Sequence, residues 1–280
     1  MVALFVGALA EPRPALAASY LFPSFGAAGN FAIFGITAGT GYIITENGDT
    51  IKGNEGISQN GTITDVTAPS TVTGNLYEYG PGQYTGLNTG SPVNTTTVTT
   101  MIGQAYTDYT TAIGIITNDT CTATFCLGNQ TTARTLTGTG GVTVVDFTNI
   151  TLNNVNLTLS GGATDYFVVR VSGAITLTGT ASIVLTGITA SHVIFDVVGN
   201  VSTNGSTESL SGYIISTGGT ITFTSGTTIN GELIGKTMSL TGTTVNGFTP
   251  EAPTLWLIGG ALVGIAVWSK RARAPIPARD

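Results

Sequence analysis

Apolar and polar residues alternate along the second half of the chain in short runs that Gly, Asn or Ser separate. From Gly141 onward these runs are VTVVDF, VNLTLS, YFVVRV, AITLTG, SIVLTG and HVIFDVV. A period of two over four to eight residues is typical of β-strands that bury one face. The sequence therefore predicts a succession of short strands over this half of the chain.

Two of these strands align when their closing glycines are superimposed. FVVRVSG (Phe167–Gly173) then lies over VIFDVVG (Val193–Gly199), and the large apolar residues of both runs point inward. The alignment puts Arg170 level with Asp196 on the outer face, where the two side chains can pair if the strands are neighbours. An exposed ion pair contributes only ~0–1 kcal/mol, so this pair would indicate strand register more than it would stabilise the fold.

One segment has a helical period instead. Between Val98 and Ile116 the apolar residues recur at spacings of three and four, which is typical of the buried face of an amphipathic helix. The preceding segment, Gly80–Thr97, is rich in Gly, Pro, Asn and Thr and is predicted to be a loop. Two tyrosines on the helix fit either packing or a binding box, and we expect packing. The predicted apolar face consists of Met101, Ile102, Ala105, Tyr106, Tyr109, Ala112, Ile113 and Ile116.

A short repeat of Thr, a β-branched residue, any residue and Gly occurs in both halves of the chain. It is found at Thr50–Gly53, Thr71–Gly74, Thr228–Gly231 and Thr244–Gly247. The β-branched residue is expected to point inward, Thr to lie on the pleated surface, and Gly to turn the corner. Units this short cannot bury a face alone and must stack on one another, which predicts a β-solenoid.

Three of the predicted strands carry hydroxyl side chains on their outer face. In TITFT and TMSLT the period of two sends Ile221, Phe223, Met238 and Leu240 inward and the hydroxyl residues outward. Stacked strands lie ~4.7–4.9 Å apart and alternate residues of one strand ~6.6–6.8 Å apart, so the hydroxyls would form a grid. The candidate surface-binding residues are Thr176, Thr178, Thr220, Thr222, Thr224, Thr237, Ser239 and Thr241.

The composition excludes some classes of protein. Only 9% of the 280 residues are charged, and the formal net charge is −6 with Lys+Arg at 9. Nucleic-acid binding needs clustered cations that neutralise phosphates, so we expect no nucleic-acid partner. An apolar content of 41% also exceeds that of disordered polar chains.

The N-terminus is an apolar run, VALFVGALA, followed by the small-residue site Ala15-Leu16-Ala17. This pattern predicts a secretory signal peptide over residues 1–17, although the usual positive residues do not precede the run. The alternative interpretation is a buried N-terminal strand. A single domain is expected over residues 18–249.

The C-terminus, residues 250–280, has a pattern typical of exported bacterial proteins. Pro250–Pro253 precedes an apolar run, Leu255–Trp268, and the basic residues Lys270, Arg271 and Arg273 follow. The segment resembles the PEP-CTERM sorting signal, with Ala252 in place of the second Pro of Pro-Glu-Pro. The resemblance implies recognition by an exosortase-type enzyme and delivery to the cell envelope. The alternative is an ordinary hydrophobic helix that anchors the chain in a membrane; both interpretations place the domain outside the cell.

Two cysteines, Cys121 and Cys126, lie close together in CTATFC. In an exported protein this spacing fits a small disulfide loop. A metal site would need more ligands nearby, and none are seen, so no metal is expected.

Four segments of the chain carry a family resemblance: NFAIFG…ITENGDTIKGNEGISQNGTIT in residues 30–64, AYTDY in the helix, the paired strands of residues 166–202 and the closing repeats of residues 212–247. Together they resemble the bacterial and fungal ice-binding-protein-like β-solenoid family. The resemblance implies an all-β, right-handed, discontinuous and roughly triangular solenoid with one long helix along its side. Some members of this family bind ice on a flat face. Ser216 and Gly235 replace the usual Ala of the family's closing repeats, and residues 118–139 have no counterpart.

Three functions remain open from the sequence. The first is recognition of ice by the Thr-rich face, and the second is an adhesive or structural role with an extracellular polymer as partner. The third is a polysaccharide lyase, for which Asp146, Asp165, Asp196, Glu208, Glu232 and Arg170 are the candidates. These residues form no visible cluster, and paired-carboxylate chemistry needs two groups within ~10 Å. His192 opens a strand and is expected to be structural, so we expect a non-catalytic protein without a cofactor.

Overall fold

A computed structural model describes residues 22–36, 42–59, 61–80, 82–86, 91–93, 96–121, 124–224 and 226–248. The predicted signal peptide, the predicted sorting segment and its apolar helix lie outside these residues. Among the helices of the described part, none is both long and apolar enough to span a membrane.

The described chain is built mainly of short parallel strands. A 3-10 helix (Gly26–Asn30) precedes them, a second one (Ala190–His192) lies in the second half of the chain, and the α-helix α1 spans Thr96–Asn118. The strands are β1 (Phe31–Gly35), β2 (Tyr42–Glu46), β3 (Thr50–Lys52), β4 (Asn54–Ile57), β5 (Gly61–Asp65), β6 (Thr71–Val72), β7 (Asn75–Glu78), β8 (Tyr84–Thr85), β9 (Ser91–Val93), β10 (Arg134–Thr137), β11 (Val142–Phe147), β12 (Ile150–Asn153), β13 (Asn156–Ser160), β14 (Tyr166–Val171), β15 (Ile175–Gly179), β16 (Ser182–Thr186), β17 (Val193–Val197), β18 (Val201–Gly205), β19 (Ser209–Phe223), β20 (Thr228–Leu240) and β21 (Thr244–Asn246).

The strands wind into a coil with three faces, because most strands pair in parallel with the third strand that follows them. The helix face consists of β1, β4, β7, β9, β11, β14, β17 and the middle of β19 and β20. The broad face consists of β2, β5, β8, β12, β15, β18 and the ends of β19 and β20. The narrow face consists of β3, β6, β10, β13, β16, β21 and the beginnings of β19 and β20. The predicted stacked, three-sided coil is thus present.

The coil is discontinuous in sequence. The N-terminal coils stack on the last coil, since β20 pairs with β1 and β2 and β21 pairs with β3. Several hydrogen bonds stabilise this junction; for example, Thr243 N–H donates to Asp49 Oδ1 over 2.6 Å, and Thr50 N–H donates to Thr243 O over 2.8 Å. Residues from opposite ends of the chain therefore lie in neighbouring rungs.

Branched and aromatic side chains fill the interior of the coil. Phe167, Val169 and Val171 of β14 lie over Val193 and Phe195 of β17, in the register that the sequence predicts. Ile221, Phe223, Met238 and Leu240 also point inward and are buried. Burial of such side chains stabilises the fold by ~1.5–3 kcal/mol each relative to their exposure, before conformational entropy is counted.

Helix α1 covers the helix face. Its buried residues Ile102, Ala105, Tyr109, Ala112 and Ile116 contact the outward apolar residues of that face, which include Phe34, Val168, Ile194, Ile215 and Ile234. The predicted helix and its apolar face are confirmed. Tyr106 and Tyr109 pack within this second core with ring centres 6.3 Å apart, in agreement with the packing interpretation.

The predicted loop Gly80–Thr97 is partly wrong. It contains the short strands β8 and β9, and α1 begins at Thr96. Both strands pair with neighbours of earlier coils, which supply the backbone partners that a turn-rich sequence does not reveal.

Candidate functional site

All of the candidate surface-binding residues lie on the broad face. Thr220 is paired with Thr237, and Thr222 with Ser239, on the adjacent ends of β19 and β20. Ser202 of β18 lies between them and β15, because it is the register partner of both Thr222 and Thr176. Thr178 lies two positions further along β15, and Thr224 and Thr241 directly follow the last residues of β19 and β20. The structure thus brings together residues that the sequence separates by up to three coils.

Hydroxyl residues form one continuous column along the middle of this face. Consecutive members are register partners on neighbouring strands, so every rung contributes one hydroxyl. With a strand spacing of ~4.8 Å, the column is about 33 Å long. Its members in spatial order are Thr151, Thr176, Ser202, Thr222, Ser239, Thr45, Thr64 and Thr85.

Five members of this column are not among the sequence-based candidates. Thr151 and Ser202 lie outside the alternating runs from which the strands are predicted, and neither shows the Thr-x-Thr pattern used for selection. Thr45, Thr64 and Thr85 come from the N-terminal coils, and they join the column only because those coils stack on β20. An alignment of the N-terminal strands to the closing repeats could have found Thr45 and Thr64.

Two flanking columns widen the broad face. On one side are Ala174, Asn200, Thr220, Thr237, Ile43 and Thr62, and on the other are Asn153, Thr178, Asn204, Thr224 and Thr241. Among these described positions no outward side chain carries a charge. The acidic side chains of β2 and β5, Glu46 and Asp65, are buried. The result is an uncharged surface of hydroxyl, methyl and amide groups at these positions.

Hydrogen bonds between rungs fix several of these hydroxyls. Ser202 Oγ donates to Thr176 Oγ1 over 3.3 Å, and the hydroxyls of Thr64 and Thr85 lie 3.4 Å apart. Thr178 Oγ1 donates to Leu152 O over 3.2 Å. Because their partners belong to the sheet, these side chains are held in defined rotamers. These five side chains are therefore positioned before they meet any ligand.

Four carboxyl groups lie in the interior near the junction of the coils: Glu46, Asp49, Glu55 and Asp65. Burial, and then the nearby Glu46 carboxyl, raise the pKa of Glu55 well above its usual value. Burial also raises the pKa of Asp49 to about 6, although two backbone N–H groups donate to it. These groups belong to the core beneath the broad face and do not reach its surface.

Three of the lyase candidates, which the sequence shows as scattered, lie together beside α1. Asp146, Arg170 and Asp196 line a cavity of about 350 Å³ with Thr117 and Val198. Arg170 is level with Asp196, as predicted, but it forms its ion pair with Asp146 at 2.6 Å, so the predicted partner is wrong. The end of α1 and the residues after it cover this part of the helix face, and Asp196 is only 6% exposed, which the strand pattern could not show.

Four hydrogen bonds hold the guanidinium of Arg170 in the fold. Its Nε and Nη2 donate to the two carboxylate oxygens of Asp146, and its Nη1 donates to the carbonyls of Ile116 and Asp119. It thus binds the C-terminal end of α1 to β11. Asp165, Glu208 and Glu232 do not line this cavity, and the ring of His192 stacks on Tyr166 at 4.0 Å.

Cys121 and Cys126 form a disulfide. They are close to Asp146, and the three form the one group of possible metal ligands that the described residues contain. A disulfide sulfur is not a thiolate, so this group does not offer the charged ligands that zinc requires. The disulfide instead holds residues 125–130 over the outer edge of β11 and β12, where Cys126 and Gln130 pair with Asp146 and Ile150.

A scan against family models matches residues 36–246 to the model described as ice-binding-like. The chain belongs to this family. A comparison with curated protein sequences finds no significant match. The family match begins just after β1 and extends to the end of β21, and so it includes strands of all three faces.

Solved structures of ice-binding proteins have a similar fold. One from an Arctic yeast is 20% identical, with 83% of this chain and 97% of that chain covered and a TM-score of 0.61. A domain of an ice-binding protein from Shewanella frigidimarina is 19% identical, with coverages of 81% and 98% and a TM-score of 0.60. One from the Antarctic ascomycete Antarctomyces psychrotrophicus is 25% identical, with coverages of 80% and 98% and a TM-score of 0.56. These similarities show that the chain has the fold of its ice-binding-like family.

Proposed function

We propose that the broad face adsorbs to ice. The observation that carries this proposal is the central column from Thr151 to Thr85, in which each rung presents one hydroxyl in direct register with the next. The flanking columns add methyl and amide groups without charge. Such a surface can order water at fixed spacings and match an ice plane by shape.

Rigidity supports the same proposal. A side chain that is already fixed loses little conformational entropy on binding, and this loss otherwise opposes adsorption by ~0.5–1.5 kcal/mol per flexible side chain. The hydrogen bonds between rungs and the short Thr and Ser side chains keep that cost low on the broad face.

Substitution of Thr222 tests the proposal. Thr222 is exposed in the middle of the central column, so a tyrosine there would stand above the plane without entering the core. We expect the purified chain to shape ice crystals and to show thermal hysteresis, and Thr222→Tyr to remove most of both effects. Thr107→Tyr, at an exposed position of α1, is the matched control and should behave like the unsubstituted chain. Unsubstituted chain that neither shapes ice nor shows hysteresis at high micromolar concentration would refute ice adsorption.

A second ligand class fits the same face. The amides of Asn153, Asn200 and Asn204 on the flanking columns can hydrogen-bond to an extended extracellular polymer, which would make the protein an adhesin or a matrix component. Co-sedimentation with insoluble polysaccharides separates the two functions. This second function would be supported if the unsubstituted chain binds a polymer but has no effect on ice, and if Thr222→Tyr abolishes the polymer binding.

The proposed action does not require catalysis. Arg170, the one basic group of the cavity beside α1, is held by Asp146 and by backbone carbonyls, and we assign it to the structure and not to a lyase reaction. A lyase assay with acidic polysaccharides, read by the ultraviolet absorbance of unsaturated products, checks this assignment. Product formed by the unsubstituted chain and lost in Arg170→Met would contradict it.

We also propose that the protein is exported and held at the cell envelope. The disulfide between Cys121 and Cys126 supports an oxidising compartment. The sequence pattern of residues 250–273, with its apolar run and basic residues, supports membrane attachment and recognition by an exosortase-type enzyme. Cell fractionation of the chain with and without residues 250–280 tests this, since loss of the segment should release the domain from the envelope.

A further inference from the structure

The Thr repeats of the closing segment do not lie on the broad face. Thr228 and Thr244, which begin the two repeats, are register partners on the narrow face, and Thr244 is paired in turn with Thr50. They belong to a second hydroxyl column that runs through six rungs. Its members in spatial order are Ser182, Ser209, Thr228, Thr244, Thr50 and Thr71, all of them partly or fully exposed.

The second column has the same axial repeat as the first. Both faces belong to the same coils, and the rise from rung to rung is set by the backbone hydrogen bonds of the parallel sheets at ~4.8 Å. A lattice that matches the hydroxyls of the broad face along the solenoid axis therefore also matches those of the narrow face. The geometry thus indicates the same class of ligand for both faces.

The two faces meet along a rigid edge. At this edge the side chains of Thr203 and Thr227 are buried, and their hydroxyls lie 2.7 Å apart. Thr203 Oγ1 also accepts from Thr224 N–H over 3.1 Å. Because these bonds tie the end of one face to the start of the next, the angle between the two columns is fixed.

The narrow face differs from the broad face in width and charge. Next to its hydroxyl column it has a second column, in which Asn246 Nδ2 donates to Asn230 Oδ1 over 2.9 Å and the next position is Lys52. At the far side of this column β19 and β20 turn directly onto the helix face, so no third column follows in these rungs. We expect weaker adsorption by the narrow face, because fewer positions per rung contact the ligand.

We propose that the narrow face is a second ice-adsorbing surface, joined to the broad face along one fixed edge. This inference rests on the proposed function of the broad face. A chain with two such surfaces can contact two ice surfaces that meet at a grain boundary, whereas a chain with one surface covers a single plane. Inhibition of ice recrystallisation would then depend on both faces.

The experiment compares Thr222→Tyr, Thr244→Tyr and the double variant, with Thr107→Tyr as the control. The full-length proteins carry a fluorescent label, and the fraction retained in slowly grown polycrystalline ice is measured; circular dichroism checks that each variant keeps its β structure. We expect Thr244→Tyr to lower retention, and the double variant to retain less than Thr222→Tyr alone. Thr244→Tyr should also reduce recrystallisation inhibition by a larger factor than it reduces thermal hysteresis.

Three results separate the possible failures. If the unsubstituted chain is retained but Thr244→Tyr has no effect in either background, the second surface is refuted and the broad face stands. If Thr222→Tyr alone reduces retention to that of an unrelated labelled protein, the second surface is likewise refuted. If the unsubstituted chain itself is not retained, the proposed function fails, and this inference fails with it.

Discussion

Arg170 forms its ion pair with Asp146, although Asp196 lies level with it on the opposite neighbouring strand. The guanidinium takes both oxygens of Asp146 at 2.7 and 2.6 Å, and it also binds the carbonyls at the end of α1. Burial raises the pKa of Asp196, and Arg170 lowers it only in part. Asp146 thus pairs with Arg170, whereas burial disfavours the charged form of Asp196.

This difference predicts opposite effects of two similar substitutions. Asp146→Asn breaks a bidentate, charge-assisted pair, and we expect it to lower the free energy of unfolding by about 1–3 kcal/mol. Asp196→Asn removes a charge that is poorly solvated, so at pH 7 it should be neutral or slightly stabilising. Urea unfolding of both variants measures the difference. A larger loss for Asp196→Asn than for Asp146→Asn would show that the pairing is wrong.

The buried carboxyl of Glu55 predicts a dependence of stability on pH. Because burial and Glu46 raise its folded-state pKa above the usual 4.5, the folded chain keeps a proton that the unfolded chain has released. The free energy of unfolding should therefore fall as the pH rises above about 4.5, by ~1.4 kcal/mol per pH unit for one such group. Asp49 adds to this fall between its usual value of 3.8 and about 6.

Glu55→Gln should reduce this slope, because glutamine does not titrate. The difference in free energy of unfolding between variant and unsubstituted chain should shift in favour of the variant from pH 5 to pH 8. Asp165→Asn provides the opposite control. Hydrogen bonds from the N–H groups of Gly162 and Gly140 lower the pKa of Asp165, so the stability it contributes is present above its usual pKa and is lost in acid. Parallel pH profiles for Glu55→Gln and the unsubstituted chain would contradict the assignment.

The disulfide between Cys121 and Cys126 should stabilise the end of the coil that it closes. For so short a loop the chain-entropy estimate is about 2 kcal/mol. A reducing agent should therefore lower the midpoint of thermal unfolding, and a Cys121→Ser/Cys126→Ser variant should show the lower midpoint with or without the agent. An unchanged midpoint of the unsubstituted chain after confirmed reduction would show that residues 125–130 cap the coil without covalent support.

Substitutions of two glycines by alanine are expected to change the stability in opposite directions. Gly231 has φ = 154° where the narrow face turns onto the helix face, and a Cβ there would collide with the backbone carbonyl of Gly212. Gly231→Ala should cost more than about 1–2 kcal/mol, since both strain and a backbone clash oppose it. Gly103 lies within α1 with open space at its Cβ position, so Gly103→Ala should stabilise by ~0.5–1 kcal/mol. Thermal unfolding of the two variants checks both signs.

The sequence by itself determined the local structure of this protein. The period of two in β14 and β17 determined which residues point inward, because successive side chains of a strand point to opposite faces and only the apolar set can be buried. The helical period of residues 98–116 likewise fixed α1, and the repeated Thr–β-branched–x–Gly phrase fixed the stacking of coils. The outward direction of Thr222 and Ser239 followed from the same periodicity.

The tertiary structure alone decided which faces these residues share. Thr45 and Thr64 entered the broad face because the N-terminal coils stack on β20, and Thr228 fell on the narrow face because β20 turns onto a new face at each bend. Arg170 likewise has two aspartates as register partners, and only the structure shows that it pairs with Asp146 while it also binds the carbonyl of Ile116 at the end of α1. Periodicity specifies the side of a strand on which a residue lies, whereas the neighbour across the sheet depends on backbone pairing between distant segments.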